Sequence, residues 1–175
     1  MKKVVIHPTL EYYNPGFIDI WLKRISKLIK HAESKNIKVA FENMELKGYL
    51  EFILENIESN NVGICFDIGH CNLFFNGEFN TKAFKDKVFA IHLHDNFKKI
   101  DEHNLPFDGN VDWEKTIDQI IDMNYCGYIT IESGYNDYYS NISIEEYYNN
   151  AFIIANKLSS MIEERKKNII IKLEK

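Results

Sequence analysis

Acidic and imidazole side chains stand at the ends of five short apolar runs. They are His7, Glu42, Asp67, His92 and Glu132. Four of them, Glu42, Asp67, His92 and Glu132, offer carboxylate oxygens with one imidazole nitrogen, a set that suits Mn²⁺, Mg²⁺, Co²⁺ or Zn²⁺. An acid that ends a single strand is usually a helix N-cap. Repetition of this pattern at Glu42, Asp67, His92 and Glu132, spaced by 25, 25 and 40 residues, favours one shared metal site instead.

More imidazoles and acids follow these positions closely. His70 lies three residues after Asp67, His94 shares a strand face with His92, and an Asp101-Glu102-His103 segment follows. Such a group is typical of metal or sugar binding. We therefore expect a set of residues that contact substrate or a second metal: His7, His70, His94, Asp101 and His103. The structural alternative, a histidine bonded to nearby backbone, stays open for His70.

The elements that must position these side chains alternate along the chain. The runs 4–7, 39–42, 64–67, 89–92 and 129–132 are predicted to be buried strands. Apolar spacing predicts helices over 18–32, 49–57, 113–123 and 144–167, a loop over 72–79 and a brief helix over 81–87. Strands that alternate with helices predict a parallel sheet. The segment 169–171 fits either an extension of the last helix or a short strand.

The two faces of the predicted strands differ. Residues two apart share a face, so Ala40, Cys65, Ala90 and Thr130 lie on the face of the acids and the imidazole. The opposite face carries bulky residues such as Phe41, Phe66 and Ile91. A small, polar face leaves room for a ligand at the carboxyl ends of the strands, as in a β/α barrel.

The length limits how much of a barrel this chain contains. Eight βα units take about 250 residues, or roughly 31 each, so the 175 residues supply five to six units. The fold class is therefore α/β, either an open sheet or an incomplete (β/α) barrel of the TIM type, in one domain over 1–175.

Composition excludes several classes of protein. A net charge of −5 without a Lys and Arg cluster argues against nucleic acid as the main partner. The sequence has no apolar window of membrane-spanning length and no signal peptide pattern, so we expect a cytoplasmic protein that does not bind membranes. Three cysteines without a C-x-x-C pair predict reduced thiols. Neither a Gly-rich phosphate loop nor a G-x-S-x-G elbow occurs.

Several motifs together resemble the xylose isomerase-like barrel superfamily, which contains sugar-phosphate isomerases and epimerases and the type-IV apurinic endonucleases. The segments that carry the resemblance are 40–43 (AFEN), 63–70 (GICFDIGH), 91–96 (IHLHDN), 101–103 (DEH), 109–113 (GNVDW) and 130–132 (TIE). It covers nearly the whole chain from His7 to the last helix. As an ordered set, these motifs identify the superfamily but do not distinguish its individual members.

The resemblance implies roles for the site residues. The ligands of a central divalent metal would be Glu42, Asp67, His92 and Glu132. Glu42 and Glu132 would also move a proton off and onto a sugar carbon beside a carbonyl, through an enediolate. His70 would position a substrate hydroxyl. In the endonuclease branch, the ligands of additional zinc ions would be His7, His70, Asp101 and His103.

The resemblance also implies an incomplete barrel. The run ending at His7 resembles the third strand of the family, so the strands would correspond to the third to the seventh or eighth, and the first two units would be absent. Exposed parallel strand edges are costly. One hypothesis is therefore a homo-oligomer that covers the open edge. The alternatives are a true start codon upstream and a fragment of a longer gene.

Three functions follow as expectations. The first is a divalent-metal-dependent isomerase or epimerase acting on a small-molecule sugar or sugar phosphate. The second is a zinc phosphodiesterase on abasic DNA, disfavoured by the acidic charge and the missing strand. The third is a non-catalytic barrel remnant that binds metal or sugar. The identity of the sugar and of the native metal stays open.

Overall fold

The computed structural model describes residues 2–8 and 15–173. Strands and helices alternate over most of its length. The strands are β1 (Lys2–Ile6), β2 (Ile37–Glu42), β3 (Val62–Asp67), β4 (Val88–Leu93) and β5 (Thr130–Ile131). The helices are α1 (Pro15–Ser34), α2 (Tyr49–Asn56), α3 (Ile68–Phe75), α4 (Trp113–Asp122) and α5 (Ile144–Leu173), with a short 3₁₀ turn at Asp137–Tyr139.

The five strands form one parallel sheet in the order β1-β2-β3-β4-β5. Each strand pairs with the next one along the chain, so all carboxyl ends reach the same rim. The result is an open half-barrel, which confirms the predicted incomplete (β/α) barrel. Among the described residues, no helix combines the length and apolar character needed to cross a membrane.

The core lies between the sheet and the helices. Phe41, Phe66 and Ile91 are fully buried there, together with helix residues such as Ile53 and Ile117. The inner face carries smaller side chains, Ala40 and Cys65, in a separate apolar cluster. Phe89 is a bulky exception in this cluster, at a register irregularity between β3 and β4 that skips it. This difference between the faces confirms the pattern read from the sequence and leaves the concave side for polar chemistry.

Two predictions for the connection after β3 were wrong. The start of the expected loop over 72–79 is helical, because α3 begins directly after Asp67 and ends at Asn76 in a left-handed conformation (φ 55°). The expected helix over 81–87 is a series of turns. Phe84 is buried there, and Asp86 adopts φ 62°, which is incompatible with a continuing helix.

The carboxyl-terminal third settles one open point. Residues 169–171 continue α5 instead of forming a strand. Two tyrosines join the start of α5 to the segment before it, since Tyr139 of the 3₁₀ turn and Tyr147 of α5 are buried and pack at 4.8 Å between ring centroids. The Tyr139 hydroxyl donates a hydrogen bond of 3.0 Å to the carboxylate of Asp108.

Candidate metal centre

Four predicted ligand residues meet at the rim of the sheet. His92 Nδ1 lies 3.1 Å from Glu42 Oε1, 2.7 Å from Glu132 Oε2 and 3.9 Å from Asp67 Oδ2. One potential ligand atom from each of the four residues falls within 4.8 Å of the others. The strand register explains the meeting, because Asp67 and His92 are direct partners across β3 and β4.

Buried carboxylate oxygens at this rim are what a cation would require. Glu42 Oε2, Asp67 Oδ2 and Glu132 Oε2 are buried and make no hydrogen bond of good geometry within the part of the chain that the structure describes. Their neighbours are imidazole nitrogens, which lie at 2.7 Å from each glutamate oxygen and at 3.9 Å from Asp67 Oδ2. An orphaned buried carboxylate oxygen is costly, and coordination to a metal removes that cost. Three carboxylates with one imidazole form a donor set suited to a divalent cation, so the residues present fit such an ion.

Asp67 is held both at its carboxylate and at its backbone. Oδ1 caps α3 by accepting the His70 backbone N–H at 2.6 Å. The neighbouring strand end also fixes the backbone of Asp67, since the Asn43 side chain exchanges hydrogen bonds of 2.7 and 2.8 Å with its N–H and C=O. Asp67 is therefore a helix cap and a member of the cluster at once, and its free oxygen is Oδ2.

A second cluster lies beside the first. Asp101 Oδ2 is 3.1 Å from both His70 Nε2 and His103 Nε2, and His94 Nε2 approaches Asp101 Oδ1 at 3.7 Å. Ligand atoms of these four residues also fall within 4.8 Å of one another. His103 adopts a left-handed backbone conformation with φ 50°, which is uncommon for a residue with a side chain and frequent at functional sites.

The first strand contributes its histidine to the same rim. His7 Nε2 lies 2.7 Å from Glu42 Oε2, and its side chain is 58% exposed while Glu42 is fully buried. All nine predicted site residues therefore lie in or beside one polar region. His7 is the member open to solvent on the side of β1.

The charges of the two clusters shift the pKa values of their members. Burial would lower the pKa of His92, but contacts with Cys65, Glu132 and Glu42 raise it to about 12. The pKa of His70 is likewise raised to about 9, since Asp101 and Asp67 outweigh its burial. Burial opposes the charge of Asp67, yet His94 and His70 hold the pKa of this carboxyl below its usual value. The neighbouring carboxylates thus favour the protonated form of His92 and His70.

Two residues near the site were not predicted. Cys65 lies on the inner face opposite Glu42 in the register, and its sulfur falls within 4.8 Å of ligand atoms of Glu42 and His92. Asp95 is fully buried, and its carboxylate accepts hydrogen bonds from three backbone N–H groups and from Trp113 Nε1. Strand alternation indicates only that Asp95 points away from His94, so its partners could not be read from the sequence.

Comparison with known proteins identifies a family. The family described as "Xylose isomerase-like TIM barrel" matches residues 2–153. The chain is 32% identical over 139 residues to uncharacterized protein y4fM of Sinorhizobium fredii, covering 75% of this chain and 44% of that protein. It is 32% identical over 146 residues to uncharacterized protein MJ1311 of Methanocaldococcus jannaschii, covering 74% and 50%. The chain thus spans about half the length of these curated relatives.

Solved structures share the fold. A D-tagatose 3-epimerase-like protein is 25% identical with a TM-score of 0.66, covering 98% of this chain and 64% of that one. L-ribulose 3-epimerase has a TM-score of 0.72 at 13% identity, covering 96% and 64%. The IOLI protein, solved with a zinc atom, has a TM-score of 0.70 at 19% identity, covering 92% and 62%.

The family match over most of the chain, the half-barrel and the rim of acids and imidazoles lead to one assignment. The chain belongs to the xylose isomerase-like TIM barrel family.

Proposed function

We propose that this chain is a divalent-metal-dependent isomerase or epimerase of a small sugar or sugar phosphate. The observation that carries the proposal is the cluster of Glu42, Asp67, His92 and Glu132, whose potential ligand atoms lie within 4.8 Å of one another and whose buried Asp67 Oδ2 makes no hydrogen bond among the described residues. Membership of the family supports it, as does the likeness in fold to a D-tagatose 3-epimerase-like protein and to L-ribulose 3-epimerase. When bound by these four residues, a cation would polarise the substrate carbonyl and stabilise the negative charge of an enediolate.

The two glutamates are the proposed acid and base. They approach His92 from strands on opposite sides, with Glu42 on β2 and Glu132 directly after β5. Glu132 is 37% exposed and Glu42 is fully buried. One carboxylate would remove the proton from a substrate carbon, and the other would return a proton to the opposite face or to the neighbouring carbon.

His70 is the proposed substrate-positioning residue. Its Nδ1 contacts the Asn43 carbonyl oxygen at 3.0 Å and its Nε2 contacts Asp101 at 3.1 Å, so the orientation of the ring is fixed. A sugar hydroxyl would have to replace the Asp101 carboxylate, which is 35% exposed, as the partner of Nε2, and the ring would then hold this hydroxyl while the proton moves.

Glu132→Gln tests the proposed chemistry. We expect it to abolish exchange of substrate carbon-bound hydrogen with deuterated solvent, measured by NMR on a panel of free and phosphorylated ketoses. The matched control is Glu163→Gln on the exposed side of α5, which should behave as wild type. Retained exchange in Glu132→Gln at an unchanged melting temperature would refute the acid–base role.

The second cluster favours one alternative. Three imidazoles and a carboxylate at His70, His94, Asp101 and His103 suit zinc, and several zinc ions in one site are suited to phosphodiester hydrolysis. The alternative is a zinc phosphodiesterase on abasic DNA. It predicts cleavage of an abasic duplex in the presence of zinc, and absence of cleavage by the zinc-loaded protein would remove it.

A further inference from the structure

His94 is the most enclosed imidazole of the region. Its side chain is fully buried, so it cannot contact a substrate, and neither ring nitrogen has a hydrogen-bond partner of suitable geometry among the described residues. Nevertheless, Nε2 lies 3.1 Å from Asp67 Oδ1 and 3.7 Å from Asp101 Oδ1. The ring therefore stands between a carboxylate of the first cluster and a carboxylate of the second.

The space for this ring is created by a glycine. A Cβ on Gly69 would lie 1.9 Å from His94 Cε1 and within 2.4 Å of both ring nitrogens, so any other residue there would displace the imidazole. On another side the His103 ring stacks on His94 at 4.0 Å between centroids and 15° between planes. The antiparallel bridge between Asp95 and Asn104 brings these two segments together. The position of the ring is thus determined from several sides.

We infer that His94 is a positioning residue that orients Asp67 so that its Oδ2 faces the central cation; this rests on the proposed metal centre. Asp67 Oδ1 accepts the His70 backbone N–H at 2.6 Å, and His94 Nε2 limits the rotation of the carboxylate through a close contact with the same oxygen at 3.1 Å that does not have hydrogen-bond geometry. The oxygen without a hydrogen bond is Oδ2, which points towards the His92 side of the cluster. Partners behind a metal ligand typically contribute 10- to 100-fold to metal affinity.

Three variants test this role through metal affinity, measured with Mn²⁺ and Zn²⁺ in competition with a chromogenic chelator. We expect His94→Leu and Gly69→Ala to bind the central ion about 10- to 100-fold more weakly. His94→Gln places an amide nitrogen near the position of Nε2 and should recover most of the affinity. Alanine is a better helix residue than glycine, so a loss in Gly69→Ala cannot come from the intrinsic stability of α3.

The controls match the changes in size. Gly134→Ala adds a Cβ with nothing within 4 Å, and His31→Leu replaces an exposed histidine on α1. Both should bind metal as wild type does. Melting temperatures of the metal-free variants separate loss of the ion from loss of the fold.

The possible outcomes are distinct. Wild-type affinity in folded His94→Leu and Gly69→Ala would overturn the inference while leaving the proposed function intact. Loss of one of two bound ions in His94→Leu, with unchanged affinity for the other, would also overturn it, since His94 would then be a ligand of its own ion. Absence of any cation in the wild-type protein would instead contradict the proposed function itself.

Discussion

Replacement of Asp95 should destabilise the chain strongly, although this residue holds no predicted catalytic role. Its Oδ1 accepts the backbone N–H groups of Asn96 at 2.9 Å and Val111 at 3.0 Å. Its Oδ2 accepts Phe107 N–H at 3.0 Å and Trp113 Nε1–H at 2.9 Å. One fully buried carboxylate therefore anchors the segment between β4 and α4, which carries Asp101 and His103.

The magnitude follows from these four bonds. A hydrogen bond to a charged group contributes about 1.5–3 kcal/mol, so loss of all four costs about 6 kcal/mol or more if water replaces none of them. In Asp95→Asn the amide NH₂ cannot accept hydrogen bonds from the two donors that it faces. Two bonds are lost, so we expect a loss of stability of about 3 kcal/mol. Since domains are stable by about 5–15 kcal/mol, Asp95→Ala should be largely unfolded and Asp95→Asn folded but weakened.

Urea unfolding followed by far-ultraviolet circular dichroism measures this difference. Asp122→Asn on the exposed side of α4 is the matched control and should stay within about 0.5 kcal/mol of wild type. Gly109→Ala should resemble Asp95→Asn, because its Cβ would lie 2.2 Å from Asp95 Oδ1. An Asp95→Asn variant as stable as the control would refute the anchoring role.

Two further predictions concern the cysteines and pH. In the native protein, iodoacetamide at pH 8 should modify Cys126, which is exposed, and spare Cys65 and Cys71, whose burial raises the thiol pKa to about 12; mass spectrometry showing rapid modification of Cys65 would contradict this. Contact with Asp101 raises the pKa of His103 to about 9, and that of His70 is also about 9. A histidine whose pKa is higher in the folded state stabilises the fold fully below its unfolded pKa of 6.5. This stabilisation is lost as the pH rises towards 9. The melting temperature of the EDTA-treated protein should therefore fall between pH 6.5 and 9, and His103→Gln should flatten this fall; equal slopes would count against the ion pair.

Sequence periodicity was sufficient for the sheet and for the central cluster. Parallel strands bring their carboxyl ends to one rim, so an acid or imidazole at the end of each apolar run must approach the others once the fold is known. Alternation at Cys65 and Asp67 or at Ala90 and His92 also identified the inner face. These are consequences of local geometry, which the chain encodes within a few residues.

The remaining features depend on contacts between distant segments. Asp67 acts as a cap as well as a member of the cluster, so α3 begins directly after it and residues 72–75 are helical where a loop was expected. The donors to Asp95 lie up to 18 residues further along, and no local pattern indicates them. The position of the His94 ring depends on Gly69 of α3 and on His103 of another segment. Only the folded chain brings these groups together.

Metal content measures the central claim most directly. After incubation with Mn²⁺ or Zn²⁺ and desalting, elemental analysis should find bound divalent cation in the wild-type protein and a strong reduction in Asp67→Ala and in Glu42→Gln, with all three proteins folded. Equal metal content in wild type and both variants, or no retained cation in any of them, would contradict a centre built from Glu42, Asp67, His92 and Glu132.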